Sequence, residues 1–417
     1  MSDVFVPIGG AGRLPIQACS RMPSPEIGFG FQQGTYHNVT PLELGTSCIE
    51  RVTSRINGFD PGMVDGIIVT CANPTGSQNF TGRTIANNLG WPAWGNLINQ
   101  LCMSGLRGIM DAANMISSGF NYSDGQPVVI AVTGVEKMSE CRLNKIFERD
   151  YSSTAHEAIG IESMAMGYTA EQTADRFDIS EDECNALALR ENVNVRKAIL
   201  EGWFKDEIVP IEVNGKTVDS DPLPGPLTLE TIEARRKYFF RHPRKGGKLT
   251  QFTSSQMSDG SATIVLCNQA AMKEYSWVPM ARFVGGAIGT VDARYMGEGL
   301  IAAFEHFLRI QGFANGEELR VADWLEQYSK MELNTAFAAV PLALMKKHGV
   351  PADIINVAGG ATTPLGHPLG ATGVRLSVTL LHLLARFNEQ YGYAGACVGE
   401  GQGGGVGFEN LINKGDK

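Results

Sequence analysis

The sequence predicts a layered α/β fold built from two similar halves with a helical insertion between them, and three observations carry that prediction. Within the first 140 or so residues, short β-branched runs alternate with segments whose apolar residues recur at helical spacing. The same alternation returns over the last 130 or so residues. Between them, residues 140–250 show helical periods, then a Pro-rich stretch and a basic run. Alternating strand and helix signals place a mixed or parallel sheet between layers of helices.

In the first half, residues 4–8, 66–71 and 128–133 read as strands, and residues 41–56, 82–89 and 102–118 as helices. Leu106, Ile109, Met110, Ala113 and Ile116 fall on one face of the last helix. The middle region begins with helical patterns over 169–177 and 181–202. The run Asp221-Pro222-Leu223-Pro224-Gly225-Pro226 breaks them, and Arg235, Arg236, Lys237, Arg241, Arg244, Lys245 and Lys248 follow. In the last part, strands are expected at 281–285, 354–357 and 394–398, and helices at 297–308 and 371–386. Ser104-Gly105-Leu106-Arg107 opens one helix and Thr372-Gly373-Val374-Arg375 another, each followed about twenty residues later by an apolar strand. This echo reads as duplication of an α/β half. The units are residues 1–139 with a return segment 251–277, an inserted loop domain 140–250, and a second half 278–417.

Composition narrows the function. The chain has 417 residues, 43% hydrophobic and 19% charged, enough for a large core. A net charge of -9 argues against nucleic acid as the main partner. Its 49 glycines sit in tight turns rather than low-complexity tracts, as if backbone packs closely around a ligand. The eight cysteines lie scattered, without metal-site spacing, so neither a structural metal nor a disulfide framework is expected. No apolar run is long enough to cross a membrane, no targeting peptide is visible, and the cytoplasm is the expected compartment.

A lone cysteine in an apolar stretch is ordinarily a small buried hydrophobe. Cys102 differs because it follows a polar link and opens a helix. There the unpaired amides and the dipole favour thiolate, which predicts a pKa below the roughly 8.5 of free cysteine. His367 lies in Gly366-His367-Pro368, an irregular link between glycines, and Cys397 ends an apolar strand before a glycine run. A thiol nucleophile, an imidazole base and a second thiol suit Claisen exchange at a thioester. That reaction must load an acyl group on sulfur and move a carbon-bound proton. Fixed donors must also meet each oxyanion.

Taken together these blocks resemble the thiolase family. The resemblance rests on Arg13-Leu14-Pro15, Asn99 to Gly105, Gly134-Val135-Glu136-Lys137-Met138-Ser139, Met166-Gly167-Tyr168-Thr169-Ala170-Glu171, Ser255 to Gly260, Asn334-Thr335-Ala336-Phe337-Ala338, Gly366-His367-Pro368 and Cys397-Val398-Gly399. It implies duplicated α/β/α halves with an inserted loop domain, and CoA-dependent cleavage of a 3-ketoacyl-CoA or the reverse condensation. Coenzyme A is then a substrate and no metal is needed. By resemblance, Cys102 is the acylated nucleophile, His367 activates it and Cys397 is the second acid/base. Asn334 holds a water beside His367 for the enolate oxygen, and the amides of Cys102 and Gly399 form the other oxyanion hole. Ser255 contacts the pantetheine arm, and Arg235 and Arg236 are candidates for the nucleotide phosphates; the bland reading of that basic run is a solvated face. A homodimer or homotetramer is implied, with an accessory subunit left open.

Several positions depart from the family pattern. Met103 stands where a small residue is usual, Ala165 where histidine is usual, Thr335 where glutamate is common and Glu400 where glycine is common. The usual cofactor-loop arginine falls at about Gly225, and Gln251-Phe252-Thr253-Ser254 replaces a smaller stretch. These changes are expected to alter the acyl pocket, pointing to a longer, branched or aromatic 3-ketoacyl-CoA rather than acetoacetyl-CoA. Two other readings stand at this point: a decarboxylating ketoacyl-synthase-like enzyme, and a non-catalytic acyl-CoA-binding subunit.

Overall fold

The computed structural model describes residues 3–18, 21–24, 28–31, 34–74, 81–119, 122–123, 125–140, 166–238, 240–241, 243–363 and 365–412. Nine strands form the spine of one eleven-stranded sheet. They are β1 (Val4–Pro7), β2 (Gly66–Thr70), β3 (Trp94–Ile98), β4 (Val129–Lys137), β5 (Ser258–Asn268), β6 (Pro279–Thr290), β7 (Tyr328–Leu333), β8 (Tyr391–Val398) and β9 (Gln402–Asn410). Their order is β7-β8-β9-β6-β1-β5-β4-β2-β3, and the short strands Ala11–Arg13 and Gln17–Ala18 pair with β5 beside this path.

The pairing pattern recurs. In one half β2 runs parallel to β4, which pairs antiparallel with β5, which pairs antiparallel with β1. In the other, β7 runs parallel to β8, then β9 and β6 follow antiparallel. The halves join where β1 pairs antiparallel with β6.

Helices cover both faces, giving five layers. Helix α1 (Pro41–Thr53) packs on β4 and β5 from outside; its capping box, Thr40 with Glu43, sets its start. Helix α2 (Gly82–Leu89) packs on β2 and β3. Helix α3 (Ser104–Ser118) and a later helix, residues 369–387, lie side by side between the strands of the two halves. The segment between β4 and β5 holds α4 (Met166–Arg176), α5 (Glu181–Leu200) and α6 (Leu229–Arg235). The second half adds α7 (Gly299–Ile310), packed outside β6 and β9, then α8 (Ala339–His348) and the interior helix α9 (Leu369–Phe387). Residues 370–381 of α9 are all buried, so this helix is enclosed nearly all round rather than along one stripe, and its polar residues Thr372, Arg375, Ser377 and Thr379 are buried with it. Among the described residues no helix is long and apolar enough to cross a membrane.

The central core draws on both halves: Val6, Ile68, Leu106, Val132, Ile264, Val374, Val378 and Val406 share one cluster. Within it α3 and α9 meet backbone to backbone. A Cβ on Gly105 would lie 2.5 Å from the Val374 amide nitrogen, and one on Gly373 would lie 2.2 Å from that of Leu106. Only glycine lets the two backbones touch, and the two glycines belong to the sequence echo.

One expected strand is corrected. Residues 354–357 form no strand: Ala352–Ile354 is a single 3-10 turn, Asn356 has φ 48° and Ile355 makes one parallel bridge to Met331. The strand is β7, whose Lys330 and Glu332 interrupt the apolar pattern although Glu332 is buried. The fully buried Arg13 ties the segment between β4 and β5 to the first half, donating to Glu207 (2.5 Å) and to both Asp221 oxygens (2.9 and 2.7 Å).

Alanine at residue 373 must push α3 and α9 apart. Gly373→Ala should cost about 1–3 kcal/mol by overpacking, read as a lower urea midpoint, and Gly373→Val more. An unchanged midpoint in both variants would show that the helices do not touch there.

Candidate active site

Cys102 occupies a 3-10 turn, Leu101–Met103, that runs directly into α3. The turn is held by short polar links. The Leu101 amide donates to Asn99 Oδ1 (3.1 Å), the Gln100 amide donates to Ser104 Oγ (2.8 Å), and Ser104 Oγ donates to the Leu101 carbonyl (2.7 Å). Leu101 takes φ 49°, a conformation that costs energy for a non-glycine residue. The helix start expected at Cys102 is therefore present.

The acidity expected of Cys102 is opposed by its surroundings, although the residue keeps some exposure. Burial pushes the Cys102 thiol up to about 12. The amides of Cys102 itself and of Gly399, both directed at the sulfur, pull the other way, while buried Glu136 adds to the rise. Desolvation outweighs the helix terminus. The resting site thus holds a thiol, with two amide donors already gathered on its sulfur.

His367 is buried in the link that leads into α9, and the turn Leu101–Met103 packs against α9. Its Nδ1 lies 2.7 Å from Thr372 Oγ1, and that hydroxyl donates to the Pro368 carbonyl (2.9 Å). The hydroxyl's one proton being spent, Nδ1–H donates to Thr372 and Nε2 carries the lone pair. Asn334 Nδ2 donates to Nε2 across 3.2 Å. Burial, and then the charge of Arg375 about two turns along α9, lower the His367 pKa to about 3. The imidazole is accordingly neutral and can take a proton. Arg375 is itself buried, 3.7 Å from Glu332, whose carboxyl burial pushes up to about 8.

Cys397 lies buried at the end of β8, and the turn carrying Cys102 packs on that strand. Burial, and then the charge Cys102 would carry as a thiolate, push its thiol well above the ordinary range. The two sulfurs share one field. Gly399 follows in the next link; a Cβ there would meet Met166 Sδ at 3.1 Å and Leu101 Cδ1 at 3.3 Å. Asn334, fully buried after β7, has a side-chain oxygen without a hydrogen-bond partner among the described residues. A buried amide oxygen of this kind suits an ordered water.

Ser255 is drawn to the same place through its backbone. Its amide donates to the Ala336 carbonyl (2.8 Å), Ser254 bridges Phe337, and the Gln256 carbonyl accepts from the His367 amide (3.1 Å). Arg235 and Arg236 lie farther out. Both are exposed at the end of α6, Arg236 pairs with Glu181 (3.2 Å), and Gln251 holds the backbone of this stretch through Lys237 (2.5 Å). Arg241 and Lys248 pair with Asp175, so much of the basic run faces acidic residues of α4 and α5.

Two departures from the family pattern find a physical reason. Met103 points into the core, where a Cβ on Gly404 would lie 2.0 Å from its sulfur, so β9 rather than the acyl pocket absorbs its bulk. Glu400 adopts φ 67°, the left-handed region where glycine is favoured. Ala165 lies outside the described residues.

Sequence reasoning missed three residues. Thr372 reads as an ordinary helix threonine until its hydroxyl is seen on His367. Buried Glu136 accepts from the amides of Ala72 (2.9 Å), Asn73 (3.1 Å) and Gly370 (2.7 Å), locking the first half to the start of α9. Glu191 reaches the Asn334 segment from α5.

Thr372→Val removes the acceptor for Nδ1–H and should slow acylation of Cys102 by roughly tenfold or more, with Thr372→Ser near wild type; equal rates in both variants would dismiss the tautomer lock. Iodoacetamide labelling gives a second check. With the thiol at about 12 and the imidazole at about 3, neither group titrates between pH 5 and pH 9. The thiolate fraction, and with it the labelling rate at Cys102, should then climb about tenfold per pH unit. A step near pH 6.5 or a plateau below pH 8 would contradict this.

The family described as "Thiolase, N-terminal domain" matches residues 25–270, and "Thiolase, C-terminal domain" matches residues 278–410. A 3-ketoacyl-CoA thiolase of Bacillus subtilis (strain 168) is 32% identical over 397 residues, covering 91% of this chain and 95% of that protein. An acetyl-CoA acetyltransferase of Shinella zoogloeoides is 31% identical over 406 residues, covering 93% and 98%. The crystal structure of human mitochondrial 3-ketoacyl-CoA thiolase in complex with CoA superposes with a TM-score of 0.81 at 27% identity, covering 99% of this chain and 98% of that one. Matched along nearly its whole length, the chain belongs to the thiolase family.

Proposed function

We propose that this protein cleaves a 3-ketoacyl-CoA with CoA, or runs the reverse condensation, through an acyl group carried on Cys102. The observation that carries the reading is the Cys102 sulfur itself. It has two backbone amides on it and a second thiol in its field, beside the helix whose preceding link carries a neutral imidazole.

In the cleavage direction Cys102 Sγ attacks the 3-keto carbon while His367 Nε2 takes the thiol proton. A static thiolate is not required, because proton and sulfur move together as the bond forms. The oxyanion at C3 lies between the amides of Cys102 and Gly399, donors that need no reorganisation. The C2–C3 bond then breaks. Its electron pair becomes the enolate of acetyl-CoA, whose oxygen is held by His367 with the water of Asn334, and the Cys397 thiol protonates C2. CoA enters and gives its thiol proton to the Cys397 thiolate. The CoA sulfur attacks the acyl-cysteine, and the imidazolium returns its proton to the departing Cys102 sulfur. Every group ends as it began.

Ser255 is proposed to meet the pantetheine arm, and Arg235 and Arg236 the nucleotide phosphates; support comes from the tie between the Ser255 segment and Ala336, and from the exposure of both arginines. The preferred acyl chain is proposed to be longer than acetoacetyl, branched or aromatic, with Leu101 and Met166 as apolar neighbours of Gly399. We further propose a cytoplasmic homodimer or homotetramer. The thiol at 397, where a proton donor to carbon is needed, favours thiolysis over decarboxylating condensation.

Cys102→Ala should abolish thiolysis, by at least about a thousandfold, and leave no acyl adduct by intact-protein mass spectrometry. Cys397→Ala should still be acylated by a simple thioester yet fail to exchange the α-protons of acetyl-CoA. Retained turnover in Cys102→Ala would overturn the mechanism. A panel of 3-ketoacyl-CoA thioesters tests the acyl preference, which a clear bias to acetoacetyl-CoA would refute.

A further inference from the structure

Glu191, in the middle of α5, is fully buried and takes no part in the steps above. Its carboxylate is filled by neutral donors. Oε1 accepts from Thr335 Oγ1 (2.5 Å) and Asn356 Nδ2 (3.0 Å); Oε2 accepts from the Thr362 hydroxyl and amide (3.4 Å for the amide). The loop presses on it closely enough that a Cβ on Gly360 would lie 1.9 Å from Oε1.

These partners surround Asn334. Thr335 is its neighbour on one side. On the other, Asn356 holds Leu333 by both backbone groups, accepting from its amide (2.7 Å) and donating to its carbonyl (3.0 Å). Asn356 Nδ2 also reaches Thr335 Oγ1 (2.8 Å). The third arm, Thr362, begins the stretch that ends at His367; Thr363 Oγ1 donates to the Gly360 carbonyl (2.6 Å) and the Gly366 amide to the Thr363 carbonyl (2.9 Å). One carboxylate thus grips both chain segments whose side chains meet as Asn334 Nδ2 and His367 Nε2.

We propose that Glu191 is a positioning residue that aligns Asn334 with His367 for the enolate step. It acts through Thr335, Asn356 and Thr362 rather than by touching substrate. The proposal rests on the reading that Asn334 and His367 together hold the enolate oxygen. It assigns a role in the carbon–carbon chemistry to a helix of the segment between β4 and β5, outside both halves of the catalytic sheet.

The test compares two reactions of the same protein: exchange of acetyl-CoA α-protons in D2O, which needs the enolate hole, and acetylation of Cys102 by acetyl-CoA. In Glu191→Gln an amide must turn donors toward donors; Thr335→Val removes one arm while keeping its shape, and Thr335→Ser keeps the hydroxyl. We expect Glu191→Gln and Thr335→Val to slow exchange by roughly ten- to a hundredfold, less than outright loss of an oxyanion donor. In Thr335→Val, whose arm reaches only the Asn334 segment, acetylation should stay within about threefold of wild type; Glu191→Gln, which also frees the Thr362 arm leading to His367, should lose more in exchange than in acetylation, and Thr335→Ser should recover most of the exchange. If Glu191→Gln does not fold, the Thr335 pair decides alone. Equal losses in both reactions, or none in either, would overturn the proposal. Asn334→Ala separates the two readings: if it leaves exchange intact, the reading of Asn334 fails and takes this one with it. If it stops exchange while Glu191→Gln and Thr335→Val do not slow it, only the role of Glu191 falls.

Discussion

The contact of α3 with α9 at Gly105 and Gly373 is the constraint on which the rest of the molecule depends. Cys102 sits three residues before one glycine and His367 six before the other, on chains drawn from opposite halves of the sheet. Backbone contact between the helices sets how closely their starts approach. It also explains why both helices are buried among strands of both halves. Glu136 reinforces the arrangement by bonding the start of α9 to the link after β2. The site is a property of the junction, and neither half contains it alone.

Burial at that junction decides the chemistry more than the helix terminus does. A sulfur taken out of water resists ionising, and an imidazole taken out of water resists protonation. The resting pair is neutral on both sides. With both groups neutral, proton transfer falls in the same event as carbon–sulfur bond formation. Fixed amides then matter most, since they stabilise charge only where and when it develops.

Much of this was legible in the chain. The polar link before Cys102, the glycines around His367, the strand end at Cys397 and the echo of Ser104-Gly105 in Thr372-Gly373 each correspond to a feature of the fold. What stayed hidden depends on contacts between residues far apart in sequence. Glu191 looks like a solvated helix residue because nothing local says that Thr335, Asn356 and Thr362 will close over it. The charged residues of β7 masked a strand, and the β-branched residues at 354–357 imitated one. The desolvation that opposes ionisation of Cys102 stays hidden for the same reason: helix position is local, whereas desolvation is a sum over the whole fold.

Acyl transfer through Cys102 is tested most directly by a crystal structure of the Cys397→Ala protein soaked with an acyl-CoA, trapping the acyl-enzyme. The acyl group should be bonded to Cys102 Sγ, with its carbonyl oxygen accepting from the amides of Cys102 and Gly399 and His367 Nε2 facing the sulfur. An acyl group on another residue, or a carbonyl oxygen turned away from both amides, would contradict it.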